Sequence, residues 1–304
     1  MRWTQRLVAL LALVLMAAAC GGGQAADEVG DAASPAAGSE AAGGASSEAA
    51  TAAGSCDVAG LPLVEADTLT VATGEPVFEP WMVDDDPTNK QGFESALVYA
   101  LAEQMGFSDD QVTWVRTGFD QAIAPGQKDY DFNIQQYSIT AERDEVVDFS
   151  EGYYEVEQAL VAADDSPVAA AASVADLKSA RLGAAIGTTS LDYIEEVIQP
   201  DTEAQVFDDN AAAKAAFDAG QVDGLVFDLP TAYFITAVEI PDAAIVGVLP
   251  RVGESEELGM LFAEGSELVG CVDQALQTLI DDGTVADLED EWLTQSGEIP
   301  TLTN

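Results

Sequence analysis

Short runs of β-branched residues alternate with helical stripes over most of the chain. Leu69–Thr73 (LTVAT) and Val112–Arg116 read as strands, and between them Phe93, Leu97, Leu101 and Met105 recur every four residues, the spacing of a helix face that packs on a sheet. Further strands are expected at 158–163, 181–185, 204–207, 224–227, 245–248 and 259–262, with helices between most of them. Over 266–282 a last stripe of Leu268, Val272, Leu276 and Leu279 marks a helix, which resumes after Gly283 and ends near Trp292 and Leu293. No internal repeat is visible. The alternation predicts an α/β fold.

The first 55 residues follow another pattern. Arg2 and Arg6 precede an unbroken apolar run from Leu7 to Ala19, which is too short to span about 30 Å of hydrocarbon and fits the core of a signal peptide over residues 1–19. The run ends in Ala17-Ala18-Ala19-Cys20, which resembles the lipobox of bacterial lipoproteins. That resemblance implies cleavage before Cys20, its acylation, and an exported protein held on the outer face of the cytoplasmic membrane by lipid alone. An ordinary cleavage site before a chance cysteine is the alternative. Residues 21–55 contain 26 Ala, Gly and Ser and five carboxylates with no aromatic or basic residue, so they offer too little apolar surface to offset the entropy of ordering. Residues 20–55 are expected to be a disordered tether, and folding to begin near Cys56.

Composition narrows the function. Ten Lys and Arg stand against 55 Asp and Glu, a formal charge of -45 that repels nucleic acid and anionic lipid. Such an excess suits a salty medium, where screening relieves self-repulsion. With no histidine in the chain, His-ligated zinc, Ser-His-Asp and Cys-His nucleophiles and imidazole acid/base catalysis are all absent. Asp84-Asp85-Asp86, Asp109-Asp110 and Asp208-Asp209 lack the glycine and glutamate that a calcium loop needs, and read as solvated surface. No metal or cofactor is expected.

Three segments place polar groups at strand ends, where open α/β sheets bind ligands. The first is Ser138-Ile139-Thr140-Ala141-Glu142-Arg143, followed by Val147-Asp148-Phe149-Ser150 and Gly152-Tyr153-Tyr154. The second is Gly187-Thr188-Thr189-Ser190-Leu191-Asp192-Tyr193, and the third is Phe227-Asp228-Leu229-Pro230. With Gly92-Phe93-Glu94, these resemble, in order and spacing from Leu69 to Leu293, the polar amino acid substrate-binding proteins of ABC importers (extracellular solute-binding family 3).

The resemblance implies a two-lobed periplasmic-binding-protein-like fold of type II, with two strand-like crossovers near 154–158 and 255–258. Lobe 1 would comprise 56–157 and 255–304, and lobe 2 residues 158–254. It further implies a monomer that binds an amino acid in the cleft and delivers it to the permease subunits of an ABC transporter. Arg143 offers a fork for the ligand carboxylate, supported by Ser138, Thr188 and Thr189, while Asp228 sits where the family's ammonium-binding aspartate does. Phe78, Trp81 and Phe119 fall where relatives stack the ligand side chain, Glu75 falls where relatives often have an aspartate that contacts ligand, and Gln136 lies beside the Ser138 motif.

Each residue has a plainer role available. Arg143 can serve as a surface ion-pair residue, Asp228 as the cap of the helix at Leu229-Pro230, the aromatics as core, and Glu75 as an exposed turn. Gln135-Gln136-Tyr137 and Ala185 depart from the common family pattern. An enzyme of dehydratase type on the same fold, with Glu75 as its acid, and a ligand sensor are the rival functions. Export to an oxidising compartment, with Cys20 taken by lipid, leaves Cys56 and Cys271 to form a disulfide.

Overall fold

The computed structural model describes residues 56–294 and 299–304. The expected signal peptide, the tether and Cys20 lie outside these residues. Two mixed sheets organise the chain.

The first sheet is built by β1 (Leu69–Thr73), β2 (Val112–Arg116) and β3 (Phe132–Ser138), which run parallel, with α1 (Phe93–Met105) crossing between β1 and β2 and the short α2 (Phe119–Ile123) leading into β3. The α1 stripe is fully buried at Phe93, Leu97 and Leu101, as its four-residue spacing requires. Gly92 opens α1 at φ +91°, and a Cβ there would come within 2.5 Å of the Trp81 carbonyl oxygen, so the helix start and the 80–82 turn close on each other only through glycine. After β3 come β4 (Val147–Phe149) and β5 (Tyr154–Val156), then the chain leaves for the second sheet.

The second sheet contains β6 (Gln158–Ala163), β7 (Leu182–Ala185), β8 (Gln205–Phe207), β9 (Gly224–Asp228) and β10 (Ala243–Val248), ordered β10-β6-β9-β7-β8. Its helices are α3 (Thr189–Asp192, continued by a π-helical turn at Tyr193–Ile198), α4 (Asn210–Asp218) and α5 (Leu229–Phe234). Apolar clusters cover this sheet, one around Leu160, Leu182 and Ile194 and the other around Val161, Leu225 and Phe227. The chain returns through β11 (Glu256–Ala263), which pairs with β5 from Glu256↔Val156 to Leu258↔Tyr154 and then enters the first sheet between β3 and β4. β5 and β11 thus pair as an antiparallel ribbon where the chain passes between the two sheets, at the positions of the two strand-like crossovers.

α6 (Val269–Asp281) and α7 (Thr284–Trp292) pack on the first lobe, where Val272, Leu276 and Leu279 join the α1 core. A disulfide joins Cys56 to Cys271 on α6, tying the start of the folded region to the last long helix.

The end of the chain departs from the expected boundary. Residues 299–304 belong to the second lobe: Val248 donates to the Pro300 carbonyl (2.9 Å), Leu302 donates back to Val248 (2.9 Å), and Leu302 is buried in the core of that lobe. The cause is an apolar side chain and two backbone groups that find partners along β10.

Candidate functional site

A cavity of about 130 Å³ lies between the lobes, with room on the order of ten water-sized groups. Lobe 1 contributes Glu75, Phe78, Phe119, Gln136, Ser138 and Arg143, and lobe 2 contributes Thr188, Thr189, Ser190, Asp208, Asp209 and Asp228. Among the described residues that line it, Arg143 is the sole cation, against four carboxylates. Asp208 and Asp209, read from the sequence as solvated surface, therefore belong to the site; Asp209 also caps α4 by accepting from the Ala212 N–H at 2.7 Å.

Arg143 sits on a single 3₁₀ turn after β3 and is buried. Its guanidinium donates to the carbonyls of Ser138 (2.7 Å) and Gly187 (2.8 Å) and lies 5.5 Å from the centre of the Phe119 ring. One fork thus reaches both lobes. Gly187 holds φ +70°, and a Cβ there would meet Asp120 at 2.9 Å, so this turn also needs glycine. Burial disfavours the guanidinium charge, and Asp192, Glu256 and Asp228 act against that. Among the described residues, none of the five salt bridges involves Arg143.

Asp228 ends β9 before the Leu229-Pro230 helix start, but its side chain makes no capping hydrogen bond. Its carboxylate accepts instead from the Gln158 amide at 2.8 Å. Burial, then the nearby Glu256, push its carboxyl up to about 7.

The hydroxyls of Ser138 and Thr189 were expected to donate to a ligand carboxylate. They donate instead to one oxygen of Glu256, at 2.6 and 2.5 Å. Glu256 begins β11, and the Gln158 amide lies 3.3 Å from its second oxygen. Thr188 lines the cavity, yet its hydroxyl donates its proton to the Ala185 carbonyl (2.7 Å) while its oxygen caps α3 by accepting from the Leu191 N–H (3.2 Å), so the proton is already engaged within the lobe.

Trp81 does not line the cavity. It is fully buried, edge-on to Phe93 and Tyr154, and its indole N–H donates to Thr231. Phe119 and Phe78 do line it, Phe119 stacking on Tyr137 at 4.5 Å, while Glu75 is exposed at the rim. Gln136 turns its amide inward: its backbone N–H donates to Glu94 at 2.8 Å and its side chain bonds the other Glu94 oxygen, which holds Gln136 at φ +52°. Glu94 is fully buried, accepts from the Tyr153 hydroxyl at 2.6 Å, and is pushed up to about 7 by burial.

Glu94, Gln158, Thr231 and Glu256 were not singled out as site residues. Only the position of Gln158 and Glu256 on the crossovers, and of Glu94 at the start of α1, pointed towards them.

Two α/β lobes with a charged cleft between them, joined by an antiparallel ribbon, define a periplasmic-binding-protein-like fold of type II. Residues 69–295 match the bacterial extracellular solute-binding proteins, family 3, and the chain belongs to that family. The arginine-binding extracellular protein ArtP of Bacillus subtilis (strain 168) is 27% identical over 221 residues, covering 68% of this chain and 79% of ArtP. Among solved structures, an ancestral arginine-binding protein bound to arginine is 28% identical with a TM-score of 0.64, covering 75% of this chain and 99% of that one. The ancestral amino acid-binding protein AncCDT-1, a precursor of cyclohexadienyl dehydratase, is 28% identical with a TM-score of 0.63 and covers 75% and 96% respectively. Among the described residues no helix is long and apolar enough to cross a membrane.

Proposed function

We propose that this protein captures a free amino acid between its lobes and delivers it to an ABC importer, without transforming it. The observation that carries this reading is the placement of Arg143 on lobe 1 and Asp228 on lobe 2 around one small cavity. A zwitterion satisfies both at once: its carboxylate pairs with the remaining guanidinium N–H groups, and its ammonium pairs with Asp228. Because the two charges belong to different lobes, the ligand favours their approach.

The side chain of the ligand is neutral and polar or cationic, such as glutamine, arginine or ornithine. Glu75, Asp208 and Asp209 stand around the cavity with no second Lys or Arg in its lining, so a side-chain carboxylate would be buried unpaired. The arginine-binding relatives point the same way.

Export by the 1–19 signal peptide, acylation at Cys20 and the 20–55 tether would hold a monomer within reach of its permease. Arg143, Asp228, Ser138, Thr189, Phe78, Phe119 and Gln136 form the ligand shell in this reading, with Thr188 shaping the turn. The test is incubation of the purified protein with a defined amino acid mixture, followed by mass analysis of the solution and of the protein. Retention of one amino acid, unaltered, is the expected result. Its conversion to a new product would assign the dehydratase-type reading instead, and retention of none would contradict both.

A further inference from the structure

A Ser or Thr hydroxyl has one proton to donate and two lone pairs with which to accept. Both Ser138, from the end of β3, and Thr189, from the start of α3, direct that proton to the same oxygen of Glu256, at 2.6 and 2.5 Å. Their oxygens stand 3.3 Å apart at the cavity wall. With the protons so engaged, what the two hydroxyls present to the cavity is lone pairs.

The surrounding groups hold Glu256 in place. Gln158 donates to Asp228 at 2.8 Å and lies 3.3 Å from Glu256, while its own carbonyl accepts from the Ser190 hydroxyl at 2.5 Å, so a single buried amide spaces the two carboxylates and fixes their orientation. Glu256 lies on the ribbon between the lobes, paired with Val156, and reaches one hydroxyl from each lobe.

We infer that Glu256 is a positioning residue that turns Ser138 and Thr189 into acceptors, so that the site reads an ammonium at this point and rejects ligands that lack one. The inference rests on the amino acid reading above and deepens it: beside Asp228, two oriented lone pairs complete a cage for a donor with three protons. A 2-hydroxy acid of the same side chain brings one proton where three are wanted and leaves the Asp228 carboxylate without its cation.

The test is calorimetry on the intact protein and on Glu256→Ala and Glu256→Gln, with L-arginine, L-glutamine and the 2-hydroxy acid analogue of each. The wild type should prefer the amino acid. In the alanine variant, amino acid affinity should fall about tenfold or more while the hydroxy acid is unchanged or improved, because the freed hydroxyls can now donate. The glutamine variant should recover most of the preference, since its amide oxygen still accepts both protons. The preference is a ratio of two ligands on one preparation, so a partly unfolded sample does not alter it. An alanine variant that keeps the wild-type ratio, or a glutamine variant as impaired as alanine, would overturn the inference while leaving the amino acid reading intact. A wild type that binds neither amino acid would overturn the reading itself, and the inference with it.

Discussion

The indole N–H of Trp81 donates to the hydroxyl of Thr231 over 2.9 Å, joining two buried side chains 150 positions apart and on different lobes. With the Arg143 bond to the Gly187 carbonyl, it makes the closed arrangement of the lobes a bonded state. Trp81→Phe keeps most of the apolar packing and removes that bond. We expect ligand affinity to fall about three- to tenfold and the ligand-free variant to give a larger radius of gyration than wild type by small-angle scattering. Identical affinity and radius would show that the bond does not bias closure.

Arg143 is the one cation of the cavity, and it also braces the Ser138 and Gly187 carbonyls. Removing one partner of a buried charge pair costs about 3–5 kcal/mol, or two to three orders of magnitude in affinity, so Arg143→Ala should abolish calorimetric binding while circular dichroism stays native. Arg143→Lys should fail in large part, because a point charge cannot reach both lobes and still face the ligand. Near-normal binding by either variant would remove Arg143 from the site.

Two buried carboxyls make a pH dependence of definite sign. Asp228 and Glu94 are raised from ordinary values of 3.8 and 4.5 to about 7, so between those limits the folded chain holds more protons than the unfolded one. Their contribution to stability therefore falls as pH rises across that window. The ligand-free protein should melt higher at pH 5 than at pH 7.5, and Glu94→Gln should flatten the difference. Binding runs the other way: an ammonium needs Asp228 ionised, so affinity should decline as pH drops below about 7, by at most tenfold per unit, and Asp228→Asn should abolish this slope along with most of the affinity. Affinity that is flat in wild type from pH 8 to 5.5 would contradict the role given to Asp228.

Whereas α7, the helix that precedes them in the chain, packs on the first lobe, residues 299–304 pack on the second. Leu302 is buried there, and a Cβ on Gly247 would come within 2.9 Å of it. Leu302→Ala should cost about 2–4 kcal/mol, seen as a lower urea midpoint and as faster hydrogen exchange in β10 than in β1. Unchanged exchange in β10 would mean that the tail adds little to that lobe.

Much of this molecule was legible in its sequence. The stripes at Phe93–Met105 and at Leu268–Leu279 set the helices, and the Ser138, Gly187 and Phe227 segments located the two walls of the cleft, because strand ends with fixed polar groups leave a local signature. Trp81 was misread since an aromatic near a strand end looks the same whether it faces a ligand or a core; the partner that settles the matter, Thr231, is 150 positions away. Glu256 was passed over for the same reason. In an acid-rich chain one more glutamate carries no local signal, and its meaning comes from Ser138, Thr189 and Gln158, which are 118, 67 and 98 positions distant. Likewise Asp208 and Asp209 differ from surface aspartates only by the fold that turns them to the cavity.

Which side chain fills the cavity decides the proposal most directly, and a thermal-shift panel of the twenty common amino acids at fixed pH and salt measures it. A cationic or neutral polar amino acid, arginine or glutamine foremost, should raise the melting temperature most, with glutamate and aspartate giving little or no shift. A larger stabilisation by glutamate or aspartate than by any neutral or basic amino acid would contradict a pocket in which Arg143 alone answers four carboxylates.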